Sequence, residues 1–250
     1  MKPMSRQVVP YIMKSIPFIT SALVVITLFC GAMPALASSL EFSRDAFARG
    51  EIWRLWTAHF VHFGGAHLRW DVLTLLLLGS LAEFKSRRDW IAAFVISAPA
   101  IVLAVWWLQP EFAVYRGLSG IDCAAYGVVA GHLLRDGWRE RKHGRGVFAL
   151  GVAGCAGALA KCGYELLVGQ PFFVGATDAF APAPLAHFVG VVVGVVIVCT
   201  GASLSLAMPN LTSHPMAFLR RPRMVAMSPQ SVIFGRGRAA ICFRHPVARR

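Results

Sequence analysis

Apolar residues fill long stretches of this chain, and short polar segments separate them. A bilayer core requires about 20 largely apolar residues per helix. Six stretches approach that length: Ile16 to Ala37, His67 to Phe84, Trp90 to Gln109, Leu118 to Leu134, Val147 to Val168, and Pro184 to Met208. The pattern predicts an all-α, polytopic membrane protein with a six-helix bundle over residues 16–208. A short N-terminal segment (1–15) precedes the bundle and a basic tail (209–250) follows it.

Two readings of the first stretch stand. Lys2, Arg6 and Lys14 precede it, and it ends in Pro34-Ala35-Leu36-Ala37-Ser38, which resembles a signal-peptidase site. The apolar run is longer than a typical signal-peptide core, which favours a retained helix. Lysines and arginines set the orientation. Three precede the first span. Lys85, Arg87 and Arg88 lie between the second and third, Arg135 to Arg145 contributes five between the fourth and fifth, and eight follow the sixth. Together these segments hold 19 of the 25 basic residues, whereas the opposite loops hold Arg44, Arg49, Arg54 and Arg116. Both termini are therefore expected in the cytoplasm of a bacterial inner-membrane protein, with Ser38 to Ala66 outside.

Composition agrees with this reading. The chain is 56% hydrophobic and 15% charged, against about a quarter charged in soluble domains. Its net charge of +13 is concentrated in the tail, where eight arginines face no acid. With no apolar periodicity, the tail is expected to be disordered and to contact anionic lipid rather than nucleic acid. Six cysteines form no CxxC pair and read as small core residues, not as a metal site.

Ionisable groups inside a bilayer are costly and mark function by default. Here they are His67, Arg69, Asp71, Asp122, Lys161, Glu165 and His187. Arg69 can snorkel to the interface. Lys161 and Glu165, four apart on one helix, can pair with each other. Asp122 suits the positive N-terminus of the fourth helix. His67, Asp71, Ser119 and His187 remain, all in the outer half of their spans. His67 and Asp71 share a helix face. Ser119 starts the fourth span within Gly117-Leu118-Ser119-Gly120, and His187 opens the sixth. A serine hydroxyl becomes a nucleophile when a base takes its proton, and histidine suits that task. At a helix N-terminus the serine also lies beside free N–H groups that can hold an oxyanion. No acid stands out to orient His187, so the sequence indicates a dyad. Gly190 and Gly194 form GxxxG one turn below His187, which allows close packing. If the partner is the fourth helix, through Gly120, Ala124, Gly127 and Gly131, the serine and histidine come within reach of each other.

These residues resemble the rhomboid family of intramembrane serine proteases from about Gly50 to Met208. Glu51-Ile52-Trp53-Arg54 resembles the WR motif of the first outer loop. The segment from His59 to Asp71 (HFVHFGGAHLRWD) resembles the histidine-rich start of the second helix. Gly117-Leu118-Ser119-Gly120 resembles the nucleophile motif, and Ala186-His187-Phe188-Val189-Gly190 with Gly194 the base-bearing helix. The resemblance implies a six-helix fold, a Ser119–His187 dyad, and no metal or cofactor. It implies an oxyanion and substrate site bordered by His67, Asp71, Gly117 and Leu118. Its implied substrates are single-span membrane proteins cut near the outer end of their anchor.

Two positions depart from the family pattern. Asn is usual where Asp71 stands, and an ionised carboxylate cannot donate to an oxyanion. Asp71 is then either protonated through burial or paired with Arg69 or a histidine. Cys123 stands where many members place an aromatic ring under the histidine. Lys161-Cys162-Gly163-Tyr164-Glu165 resembles the rhombosortase subgroup, which is associated with short Gly-Gly-containing C-terminal anchors. Two other functions remain open on sequence: an inactive rhomboid-like binder of membrane helices, and a proton-coupled transporter using the same ionisable groups.

Overall fold

The computed structural model describes residues 16–140, 144–169 and 183–201. The N-terminal segment, the basic tail and the end of the sixth predicted span lie outside the described residues. Helix α1 (Phe18–Ala32) stops short of its predicted end at Ala37. Pro34 explains the stop: it supplies no N–H and pushes Met33 out of the helical region. Pro34–Leu40 then runs off at 96° to α1. The N-terminus of α1 is capped by another helix, since the Glu83 carboxylate accepts from the N–H of Ile19 at 3.1 Å and Thr20 at 2.9 Å. It also accepts from the Thr20 hydroxyl and pairs with Arg87. These bonds satisfy first-turn donors that no intrahelical carbonyl can reach.

The loop after α1 is built on arginines. Strand β1 (Phe42–Ser43) pairs antiparallel with β2 (Val114–Tyr115) in the register Phe42 to Tyr115. This two-residue ribbon ties the loop to the segment that leads into Ser119. Arg44 covers the C-terminal carbonyls of the third span, donating to Gln109 O at 2.8 Å and Phe112 O at 2.9 Å. Arg54 is 6% exposed. It donates to Ser38 O at 2.8 Å, Glu41 O at 2.6 Å and the Glu51 carboxylate at 2.7 Å. That guanidinium holds the Glu51 carboxyl below the usual range. Arg54→Ala is expected to lower stability by roughly 2–4 kcal/mol, because buried carbonyls lose a charged donor. Unfolding in detergent micelles measures this, and a change under about 0.5 kcal/mol would show that the loop does not depend on this residue.

Helix α2 (Gly65–Thr74) passes through a π-turn at Leu75–Gly79 into α3 (Ser80–Leu108). The predicted boundary between the second and third spans falls at Ser86, whose backbone leaves the helical region. Its hydroxyl accepts the Asp89 N–H at 3.2 Å and so restarts the helix as an N-cap. Pro99 frees the carbonyl of Val95, which faces the Trp56 indole N–H at 3.4 Å. Helices α4 (Ser119–Arg139), α5 (Arg145–Val168) and α6 (Pro184–Thr200) complete the described elements. Helix α4 outruns its predicted end at Leu134. Its polar last turns are held by Asp89, which lies 3.1 Å from His132, and by Arg135 against the same imidazole.

Gly65–Leu108 and Arg145–Val168 are long and apolar enough to cross a membrane, and the bent α1 pair makes a third stretch. The core lies between α3, α4 and α6, around Ile101, Val105, Ile121, Val128 and Val198. The GxxxG partner is α4. A methyl group at Gly190 would collide with the carbonyl of Gly120, and one at Gly194 with that of Ala124. Conversely, Gly127 abuts Val191 and Gly131 abuts Val195 and Val198. Only glycine on these faces lets the two backbones approach so closely.

Candidate active site

The α4–α6 seam fixes the two residues at one of its ends. Ser119 opens α4 and His187 lies in the first turn of α6. The Ser119 hydroxyl is 3.0 Å from His187 Nε2. His187 is 7% exposed. Cys123 packs one turn below, with its Cβ 3.2 Å from where a Gly190 methyl would stand.

The support of the imidazole comes from α5, and here the sequence reading is corrected. Glu165 Oε2 is 2.7 Å from His187 Nδ1. The expected intrahelical pair also forms, with Lys161 Nζ 2.7 Å from Glu165 Oε1, but it leaves the second carboxylate oxygen to the histidine. Lys161 Nζ is itself 3.2 Å from Nδ1. The signal for Glu165 was in the chain. The orientation inferred from basic residues places it at the outer end of the fifth span, at the depth of Ser119 and His187.

On the other side of Ser119, three groups converge on one oxygen. Asp71 Oδ2 accepts the Leu118 N–H at 3.0 Å and lies 3.1 Å from His62 Nε2 and 3.3 Å from His67 Nε2. Asp71 is therefore an acceptor paired with histidines, not with Arg69, which is exposed. Its carboxylate holds the Leu118 N–H and faces the two imidazoles. His62 was not singled out from sequence, although the histidine-rich segment contains it.

Gly117 makes this convergence possible. Its φ of +120° is a conformation that side chains disfavour, and a Cβ there would lie 2.8 Å from the His67 ring. His59, fully buried, braces the same turn from behind, with Nδ1 3.2 Å from Gly117 O and Nε2 3.0 Å from Ala98 O. All six residues expected from sequence (Ser119, His187, His67, Asp71, Gly117 and Leu118) thus meet at one place. A cavity of about 460 Å³, lined by Cys30, Gly31, Val61, His62, Phe63 and Arg116, touches the cluster at His62, whereas Ser119 and His187 lie off its walls. The chemistry available is a hydroxyl hydrogen-bonded to an imidazole at the start of a helix.

Comparison with curated proteins gives no match. The family model of the Rhomboid domain matches residues 49–203, well over half of the sequence. That stretch runs from just before Arg54 to just past α6, and it contains every residue of the cluster. On that match, and with the seam and site in place, the chain belongs to the rhomboid family.

Proposed function

We propose that this integral membrane protein is a serine endopeptidase that cuts membrane-anchored proteins near the outer end of their anchor, with Ser119 as nucleophile and His187 as general base. One observation carries the reading: the 3.0 Å contact between the Ser119 hydroxyl and His187 Nε2 at the start of α4. His187 takes the hydroxyl proton as Ser119 Oγ bonds to the scissile carbonyl carbon. The resulting oxyanion meets first-turn N–H groups of α4, with the His67 ring alongside. The C–N bond then breaks, and the amine leaves with the proton from His187. Water, deprotonated by the same histidine, hydrolyses the acyl-enzyme. Asp71 does not donate to the oxyanion in this scheme. It holds the Leu118 N–H and faces the His62 and His67 imidazoles.

The Lys161-to-Glu165 resemblance favours short Gly-Gly-containing C-terminal anchors among single-span substrates. A proton relay would not need a serine hydroxyl on the histidine. An inactive binder would not need that pair held so closely. The test is covalent labelling of the purified protein with a fluorophosphonate. Wild type is expected to label and Ser119→Ala to remain blank. Undiminished labelling of Ser119→Ala would remove Ser119 as the nucleophile.

A further inference from the structure

Helix α5 buries only Gly151, Cys162 and Glu165 among its described residues, so its one acid is turned inward from an otherwise apolar, exposed helix. Glu165 is 2% exposed. A lysine–glutamate pair that merely satisfied itself would have no reason to bring a carboxylate into the bundle, where desolvation opposes it. The second oxygen has a use there: it meets His187 Nδ1 at 2.7 Å.

That contact decides what His187 can do. A neutral imidazole carries one N–H, and which nitrogen holds it depends on the partners of both. To accept the Ser119 proton at Nε2, the ring must carry its own proton on Nδ1. A carboxylate only accepts, so Glu165 holds the proton on Nδ1. The Lys161 ammonium only donates, and at 3.2 Å from the same nitrogen it favours the opposite tautomer. The closer carboxylate wins, because Lys161 is engaged with the other oxygen at 2.7 Å.

We infer that Glu165 is a positioning residue for His187, setting the base-competent tautomer and facing the imidazolium once the serine proton has moved, while Lys161 fixes which carboxylate oxygen does so. The site then works as a Ser119–His187–Glu165 relay in place of a two-residue one. It needs no aromatic ring at Cys123 to steady the histidine. The inference rests on the Ser119–His187 reading above.

The test compares fluorophosphonate labelling rates and cleavage of a reconstituted single-span substrate in wild type, Ser119→Ala, Glu165→Asp, Glu165→Gln and the double variant Lys161→Met with Glu165→Gln. In Glu165→Gln, Lys161 claims the amide oxygen and the NH₂ is left to face Nδ1, imposing the wrong tautomer. Both rates are expected to fall about 10²- to 10⁴-fold, the scale of tautomer loss in serine proteases. In the double variant Lys161 no longer contests the amide oxygen, which can turn to Nδ1. A recovery of about tenfold or more over Glu165→Gln is expected, and Glu165→Asp should also exceed Glu165→Gln. A purely structural role would give neither recovery. Thermal unfolding of each variant accompanies the rates, and if Glu165→Gln alone unfolds, the double variant and Glu165→Asp decide between the two. Rates for Glu165→Gln within about threefold of wild type, with Ser119→Ala silent, would overturn the role of Glu165 and leave the nucleophile standing. Equal losses in the single and double variants would overturn the tautomer argument. Labelling of Ser119→Ala would overturn the underlying reading instead.

Discussion

His187→Ala is expected to reduce cleavage by about 10⁴-fold or more, the largest effect of any substitution outside Ser119 itself. The hydroxyl would keep its place at the start of α4 but lose the acceptor now 3.0 Å away. Water cannot replace a base that is 7% exposed and wedged between α4 and α5. Because the serine and histidine act as one unit, Ser119→Ala combined with His187→Ala should be no slower than either alone. Single-turnover cleavage of a reconstituted single-span protein measures both statements. A His187→Ala rate within tenfold of wild type would mean that some other group accepts the serine proton.

The second large effect is expected from a single methyl group at Gly190. An alanine there would drive its Cβ into the carbonyl of Gly120, with Ala124 N at 3.1 Å and Cys123 Cβ at 3.2 Å. None of these neighbours is the loose end of a flexible side chain, so α6 must move away from α4. Overpacking of this kind costs about 1–3 kcal/mol or more. The displacement also carries His187 away from Ser119, and a misplacement near 1 Å costs about 10²-fold in rate. Gly190→Ala should therefore lower both thermal stability and cleavage, the latter by about 10²-fold or more. Gly157→Ala is the matched control, since a Cβ there meets nothing within 4 Å. Equal behaviour of the two variants would show that the α4–α6 seam has slack.

Much of this arrangement was legible in the chain. Long apolar runs located the helices, and glycines at 120, 127, 131, 190 and 194 anticipated which two would touch. That inference works because only small residues permit such an approach, so composition and contact are tightly linked. Helix ends were less legible where a single residue decided them. Pro34 cut α1 short of Ala37, and Ser86 marked the turn between spans through its own hydroxyl. At the candidate site, the serine and histidine motifs singled out Ser119 and His187, which lie 3.0 Å apart. Glu165 was missed because an i to i+4 lysine offered a sufficient local partner. A carboxylate has two oxygens, and nothing in one helix's sequence tells where the second points. Asp71 raised the reverse problem. Its partners His62 and Leu118 come from separate segments, so which groups it meets could not be read from its own helix.

The sparse burial of α5 bears on how such a site is switched. The acid beside His187 rides on a helix that buries three of its described residues, whereas Ser119 and His187 sit on a seam of glycine-to-backbone contacts. On the proposed reading, the α4–α6 seam holds Ser119 and His187 together, and their readiness depends on how firmly α5 is seated. A bilayer whose thickness or lateral pressure draws α5 outward would leave the pair intact in position and idle in chemistry.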